Sequence, residues 1–311
     1  MKRLEMEFTI PLDGPFSLEH TLDSGQVFRW KRSEDWWYGV VTGGALKLKQ
    51  EEGVLKCVSS SDGLDSAFVS SYFRLDEDLD HVLSTIAKDD TITRAVERFY
   101  GLRLIRQERW ECLASFVLAT NANIPRIQKM VGEVCLRYGR PFTFEGVEQH
   151  AFPAPADLAE APVSDLEACG LGYRAGFLKK VASSVARGAL DFENVASLPY
   201  VESKKLLMSE LLGEKLLLGV GPKVADCVLL YSFGKDEAFP IDVWIARVIS
   251  RSYPRLLAPA LRGRLKRSPQ AKLSPGEYER ASTSVRSYFG SYAGYAQQYL
   301  FMAARESESW G

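Results

Sequence analysis

The stretch "LLLGVGPKVADC" (216–227) sets two glycines, a proline and one lysine in an otherwise apolar run. Gly219 and Gly221 permit positive φ and close backbone approach, and Pro222 suits the first position of a helix. The pattern reads as the end of one helix, a tight hairpin, and a new helix starting at Pro222. Such a turn aims free amides outward at a helix N-terminus, a ready site for an anion. Lys223 then falls in the first helical turn, the wrong end of a helix for a cation. An amine that sheds its proton there is a nucleophile. Cys227 lies four residues on, on the same face, and would line whatever pocket Lys223 faces. The plain alternative is a joint between two helices carrying a solvated lysine.

A second chemical group follows in "AFPIDVWIARVI" (238–249), where Asp242 precedes a fresh apolar helical run. Most aspartates in that position are N-caps. A capping carboxylate can also project into a cleft beside a neighbouring helix N-terminus. An amine nucleophile and a carboxylate from two helix starts would suit chemistry that passes through a cationic intermediate. Asp226, three residues from Lys223, is the rival carboxylate and reads as an ion-pair or cap partner.

These groups need elements to hold them. The first hundred residues read as strands: "QVFRWKR", "WWYGVVTG", "ALKLKQEEG" and "VLKCVSS" are short β-branched and aromatic runs cut by Gly, Asp and Ser. From about residue 107 the period changes. Trp110, Leu113, Ala114, Val117 and Leu118 form one apolar helical face, and helical patterns continue to the end of the chain. Tyr292, Tyr295, Ala296, Tyr299, Leu300 and Ala303 mark a last helix with an apolar stripe. "EQHAFPAPADLAEAP" (148–162) reads as a connector. The expectation is an α+β protein, with an antiparallel β domain over 1–105 followed by an all-α domain over 106–311 that carries the active site.

The 311 residues suffice for two domains, and the formal net charge of −1 excludes a molecule that coats nucleic acid electrostatically. A nucleic-acid site would have to be local, built from a few aimed donors. Five cysteines without a C-x-x-C pair and three scattered histidines argue against a disulfide framework, a zinc site or an iron–sulfur cluster. No metal and no organic cofactor is implied. The start, "MKRLEMEFTI", lacks the apolar core of a signal peptide, and no stretch approaches a membrane span. The expected setting is intracellular, cytoplasmic or at the nucleoid, with no membrane partner.

"GVGPKVADC", "FPIDV" and "SYAGYAQQYLF" together resemble the helix–hairpin–helix DNA glycosylase superfamily, specifically the eukaryotic-type 8-oxoguanine DNA glycosylases. "LDSGQVFRW", "RLIRQERWECLASFVLATNANIPRI" and "GLGYRA" extend the likeness, in the family's order, across both expected domains. The resemblance implies a monomeric base-excision repair enzyme acting on double-stranded DNA that contains 8-oxoguanine. It would flip the damaged base out of the stack and remove it, preferring cytosine opposite, and then cleave the strand as an AP lyase. Lys223 resembles the nucleophile that forms a Schiff base, and Asp242 the carboxylate that stabilises oxocarbenium character. Gly25 resembles the residue whose carbonyl meets N7, which carries hydrogen in 8-oxoguanine and a lone pair in guanine. Cys227 and Phe301 match the sandwich around the flipped base, and Gln297 the reader of its Watson–Crick edge. Asn121, Arg126 and Arg174 match readers of the opposite strand, and Tyr173 the wedge that buckles the duplex. The amides of Gly219, Val220 and Gly221 would hold a DNA phosphate.

The chain also departs from the family pattern. Trp244 stands where a histidine is common and Ala304 near an acidic position, as a coupled pair of changes. Ala122 replaces one of three consecutive asparagines, and Tyr231 takes the place of a methionine at the pocket wall. Two other functions stay open on sequence alone: a monofunctional glycosylase of the same superfamily that releases alkylated bases with water, and a non-catalytic DNA-binding module. Lys223 argues against the first, and the near-neutral charge against the second.

Overall fold

The computed structural model describes residues 5–211, 214–215, 217–268 and 271–308. Five strands, β1 (Met6–Pro11), β2 (Trp30–Ser33), β3 (Trp36–Val41), β4 (Gly44–Glu51) and β5 (Val54–Ser59), form one antiparallel sheet in the order β1-β5-β4-β3-β2. One face carries the core made by Ile10, Trp30, Leu46, Leu48, Leu55 and Cys57. Against it pack α1 (Leu18–Leu22) and α2 (Ser66–Tyr72), contributing Leu18, Leu22, Val69 and Tyr72.

Then follow α3 (Leu79–Ile86), α4 (Asp90–Arg98), α5 (Arg109–Leu118) and α6 (Ile124–Tyr138). A hairpin of β6 (Pro141–Phe144) and β7 (Val147–His150) leads into α7 (Pro155–Glu160), α8 (Val163–Ala168), α9 (Arg174–Ala186), α10 (Phe192–Ser197) and α11 (Tyr200–Leu207). After a short pair, β8 (Glu210–Leu211) and β9 (Glu214–Lys215), the chain closes with α12 (Pro222–Phe233), α13 (Val243–Ser252), α14 (Pro259–Arg267), α15 (Pro275–Phe289) and α16 (Ala293–Glu308). The fold is α+β, with an antiparallel sheet followed by a helical body, as the sequence implies. The helical core already includes Leu79, Ile86 and Ile92, because α3 and α4 lie against α16.

The structure corrects four local expectations. Residues 66–98 are helical rather than extended; Asp65, Asp78 and Asp89 accept amide hydrogen bonds as N-caps, starting α2, α3 and α4. "QVFRWKR" becomes a strand only at Trp30; at its start the Gln26 carbonyl accepts from the Gln107 side chain, and the Gln26 side chain accepts from the Ile105 amide. The 148–162 segment is not a bare connector: its start pairs in β7 and its middle forms α7. No helix ends at Gly219. The β8–β9 pairing, Glu210 with Lys215 and Leu211 with Glu214, occupies the approach, and Leu216 lies outside the described residues.

Arg74 joins the two parts of the molecule. Its side chain is 1% exposed and donates to both carboxylate oxygens of Asp236 at 2.8 and 3.0 Å. It also reaches the Leu230 carbonyl of α12 at 3.4 Å. Removing one partner of a buried pair strands the other charge. Asp236→Ala is therefore expected to destabilise the protein by about 3 kcal/mol, read from urea unfolding. A loss below about 0.5 kcal/mol, the range of ordinary surface changes, would show that Glu77, 3.5 Å from the same guanidinium, suffices as its partner.

Candidate active site

α12 begins at Pro222 with Gly221 as an N-cap that supplies no side-chain acceptor. The amides of Lys223 and Val224 are in its first turn and have no intrahelical partner. Gly219 holds φ at +86°, and a Cβ there would lie 2.7 Å from the Phe177 ring. The hairpin conformation therefore requires glycine on two counts, while Val220 anchors it, 1% exposed. Gly221 faces open space.

Lys223 is half-buried, its Nζ 5.1 Å from the centroid of the Phe116 ring of α5. It lies beside the Cys227 thiol, one helical turn along α12. Asp242 caps α13, accepting from the Ile245 amide at 2.8 Å. Burial raises its carboxyl above the ordinary value, although the Ile245 amide and the nearby Lys223 side chain favour the charged form. Burial also pushes the Cys227 thiol up to about 11, so it presents a neutral sulfur.

A buried network registers these two helix starts. Asp226, with no exposed surface, accepts from Tyr200 at 2.6 Å, Tyr278 at 2.7 Å and Lys204 at 3.1 Å. The Tyr278 hydroxyl in turn accepts from the Ile241 amide at 3.0 Å, one residue before Asp242. Asp226 is thus the structural ion-pair partner that its sequence position suggests.

Lys223, Cys227 and Asp242 open into a cavity of about 290 Å³. Gly25, Gln297 and Phe301 line it as well, so six predicted residues from four separate segments meet at one site. Gly25 holds φ at +78°, and among the described residues nothing donates to its carbonyl. Gln297 is 4% exposed, and its Oε1 is buried without a hydrogen-bond partner. Ala122, Tyr231 and Trp244, the departures noted in the sequence, also line the cavity. Trp244 and Ala304 both line a neighbouring hollow of about 200 Å³. Phe28, Phe116, Ile124 and Gln298 are lining residues that sequence reasoning missed. Each looks like an ordinary helix or core position, and only three-dimensional placement turns it toward the site.

The four remaining candidates lie outside this cavity. Asn121, at φ +52°, donates to the Tyr173 hydroxyl at 3.0 Å and accepts from Lys272 at 2.9 Å. Tyr173 is 52% exposed and packs edge-on against Phe177, next to the Gly219 turn. The Arg126 side chain is exposed and unpaired among the described residues. Arg174, matched by the resemblance to a reader of the opposite strand, is not presented to solvent. It is 3% exposed, and its guanidinium donates to the carbonyls of Thr120, Asn121 and Leu171. No group of three or more metal-ligating side chains occurs among the described residues.

Two family models match the chain: "8-oxoguanine DNA glycosylase, N-terminal domain" over residues 9–113 and "HhH-GPD superfamily base excision DNA repair protein" over 114–255. The chain is similar to an N-glycosylase/DNA lyase of Saccharomyces cerevisiae, with 30% identity across 91% of this chain and 82% of the yeast protein. The N-glycosylase/DNA lyase OGG1 of Arabidopsis thaliana is 31% identical, across 97% of this chain and 79% of the plant protein. Among solved structures, the Clostridium acetobutylicum 8-oxoguanine glycosylase/lyase, in complex with double-stranded DNA containing cytosine opposite 8-oxoG, superposes with a TM-score of 0.84. It is 28% identical, covering 99% of this chain and all of that one.

The raised carboxyl at Asp242 predicts a trade of stability against chemistry. A carboxyl whose folded-state pKa exceeds its unfolded value adds stability below the unfolded pKa and loses it as pH rises through the folded one. Asn caps a helix as well as Asp and has no charge to bury. Asp242→Asn is expected to melt above the wild type at neutral pH, with the difference shrinking in acid. A variant that melts lower at neutral pH would show that ionised Asp242 stabilises the fold.

Proposed function

Because the chain belongs to the HhH-GPD superfamily of base excision DNA repair proteins and carries the 8-oxoguanine glycosylase N-terminal domain, we propose that it excises 8-oxoguanine from double-stranded DNA and then cleaves the abasic strand. What supports this reading most is the single cavity shared by Lys223, Asp242, Gly25, Cys227, Gln297 and Phe301. A base inside the stack hides its glycosidic bond, so the lesion must leave the duplex and enter that cavity.

There the Lys223 amine attacks the sugar C1′. The glycosidic bond breaks, its electron pair leaves with the base, and the Asp242 carboxylate faces the positive charge that develops on the sugar. Loss of the amine proton and ring opening leave a Schiff base between Nζ and C1′. That iminium acidifies the neighbouring C2′–H, and β-elimination expels the 3′ phosphate and cuts the strand. The Gly25 carbonyl accepts from N7–H of the lesion and repels the N7 lone pair of guanine. The unpartnered Gln297 Oε1 suits the N–H donors on a guanine-type edge. Neutral Cys227 and the Phe301 ring supply two apolar faces for the base.

On the other strand, Arg126 offers free donors to cytosine, whose N3 and O2 accept. Arg174 must first release the carbonyls of Thr120 and Asn121, which makes it a reader engaged only once the duplex is seated. Tyr173 acts as the wedge and Asn121 fills beside it. The hairpin amides of Gly219 and Gly221 hold a phosphate, whereas that of Val220 already donates to the Leu217 carbonyl at 3.2 Å. Few phosphate contacts suffice for a chain of formal net charge −1. The domain division at 105/106, a monomeric state and action on DNA in the cytoplasm or nucleoid complete the proposal; among the described residues no helix is long and apolar enough to cross a membrane.

Borohydride trapping on duplexes with 8-oxoguanine opposite each of the four bases tests the mechanism. The expected result is a covalent complex strongest opposite cytosine and absent in Lys223→Gln. Base release that persists in the mutant without trapping would make water the nucleophile, as in a monofunctional glycosylase. Binding without release or trapping would leave a non-catalytic module. With Asp242 acting as a carboxylate, excision should also lose rate in acid along a limb above the ordinary carboxylate range, and Asp242→Asn should cost about 10²-fold or more.

A further inference from the structure

Residues 24–26, centred on Gly25, belong to no helix or strand, so no ladder of backbone hydrogen bonds orients their carbonyls. Side chains do so instead. Gln298 of α16 donates from Nε2 to the Ser24 carbonyl at 2.9 Å and accepts at Oε1 from the Tyr231 hydroxyl at 2.5 Å. On the far side, Gln107 donates from Nε2 to the Gln26 carbonyl at 2.7 Å. The Gln107 backbone amide donates to the Tyr231 carbonyl at 2.8 Å. The carbonyls on both flanks of Gly25 are therefore tied, each through one glutamine, to a single residue of α12.

We propose that Tyr231 is a specificity-determining residue: its hydroxyl and its carbonyl clamp the Gly25 loop from two sides and hold the Gly25 carbonyl in the direction that separates 8-oxoguanine from guanine. The inference rests on the role given to Gly25 above. Only Nε2 of Gln298 can donate to a carbonyl, which leaves Oε1 for the phenol, so the polarity of the relay is unambiguous. Ser24, Gln298 and Tyr231 are all buried, which makes each bond costly to lose. Burial keeps the Tyr231 phenol well above its ordinary pKa, a donor at every working pH. The ring itself stacks on Phe116, with centroids 5.5 Å apart and planes at 16°, and Phe116 lies beneath Lys223. Tyr231 thus touches both the discriminating loop and the floor under the amine.

Rigidity matters more for rejecting guanine than for accepting the lesion. A hydrogen bond to N7–H draws the carbonyl into place by itself. Repulsion from the guanine N7 lone pair works only if the carbonyl cannot swing away. Loosening the clamp should therefore erode selectivity first.

Tyr231→Phe keeps the ring stack and removes the hydroxyl arm; Gln298→Leu removes the same arm from the other end. Single-turnover excision is measured on duplexes with 8-oxoguanine or guanine opposite cytosine, beside strand cleavage at a preformed abasic site, which requires no base. The expected result in both variants is a fall of about tenfold in the 8-oxoguanine-to-guanine rate ratio, the scale of one buried hydrogen bond. Abasic-site cleavage should change less than about twofold on the same scale. The double variant should fall no further than either single, because both cut one relay. An unchanged ratio would overturn the clamp, and so would excision and abasic cleavage falling together, which marks a merely structural residue. A wild type without preference for 8-oxoguanine would overturn the reading of Gly25 itself, and the clamp with it.

Discussion

Asp226 is a carboxylate with no exposed surface, held by two tyrosines and a lysine. The two helix starts that carry Lys223 and Asp242 are registered through it. It stands three residues from Lys223 and next to Cys227 on α12, and through Tyr278 it reaches the amide one residue before Asp242. Burial raises its carboxyl, and only the neighbouring Lys204, Tyr200 and Tyr278 oppose that shift. Such a charge is stable only while all its partners are in place, so α11, α12, α15 and the 240–242 segment must assemble in one register. The amine and the Asp242 carboxylate inherit their separation from that register rather than from contact with each other alone.

The same desolvation acts differently on each group in the cavity. It raises the Asp242 carboxyl above its ordinary value, keeps Cys227 neutral, and leaves the Gln297 oxygen without a partner. A buried acceptor with nothing to accept costs stability. That cost is recovered when a ligand with donors in the right place arrives. The cavity thus spends fold stability on recognition, the usual signature of a functional surface.

The outer rim is tuned to a different task. Arg174 is closed onto the carbonyls of the 120–121 loop, while Arg126 and Tyr173 project outward. The positive φ at Asn121 sits within this loop, held by Tyr173 and Lys272. In the proposed reading, a duplex that offers its own acceptors to Arg174 frees those carbonyls and couples its seating to the loop.

By itself the sequence determined much of this protein: the α+β class, the helix starts at Pro222 and after Asp242, the glycines of the hairpin, and the six residues of the cavity. These are legible because helix periodicity, caps and turn residues are local, and because ordered motif blocks carry a family's site with them. Residues 66–98 carry local helix signals in three aspartate caps, Asp65, Asp78 and Asp89, which the strand pattern before them outweighs in the sequence. Only the tertiary structure decided the rest. Arg174 and an exposed arginine are identical in sequence, and burial against Thr120 and Leu171 separates them. Gln298 and Tyr231 are ordinary helix residues until α16, α12 and the Gly25 loop converge. Long-range hydrogen bonds between side chains leave no period and no spacing in the chain, since the partners are brought together by packing alone.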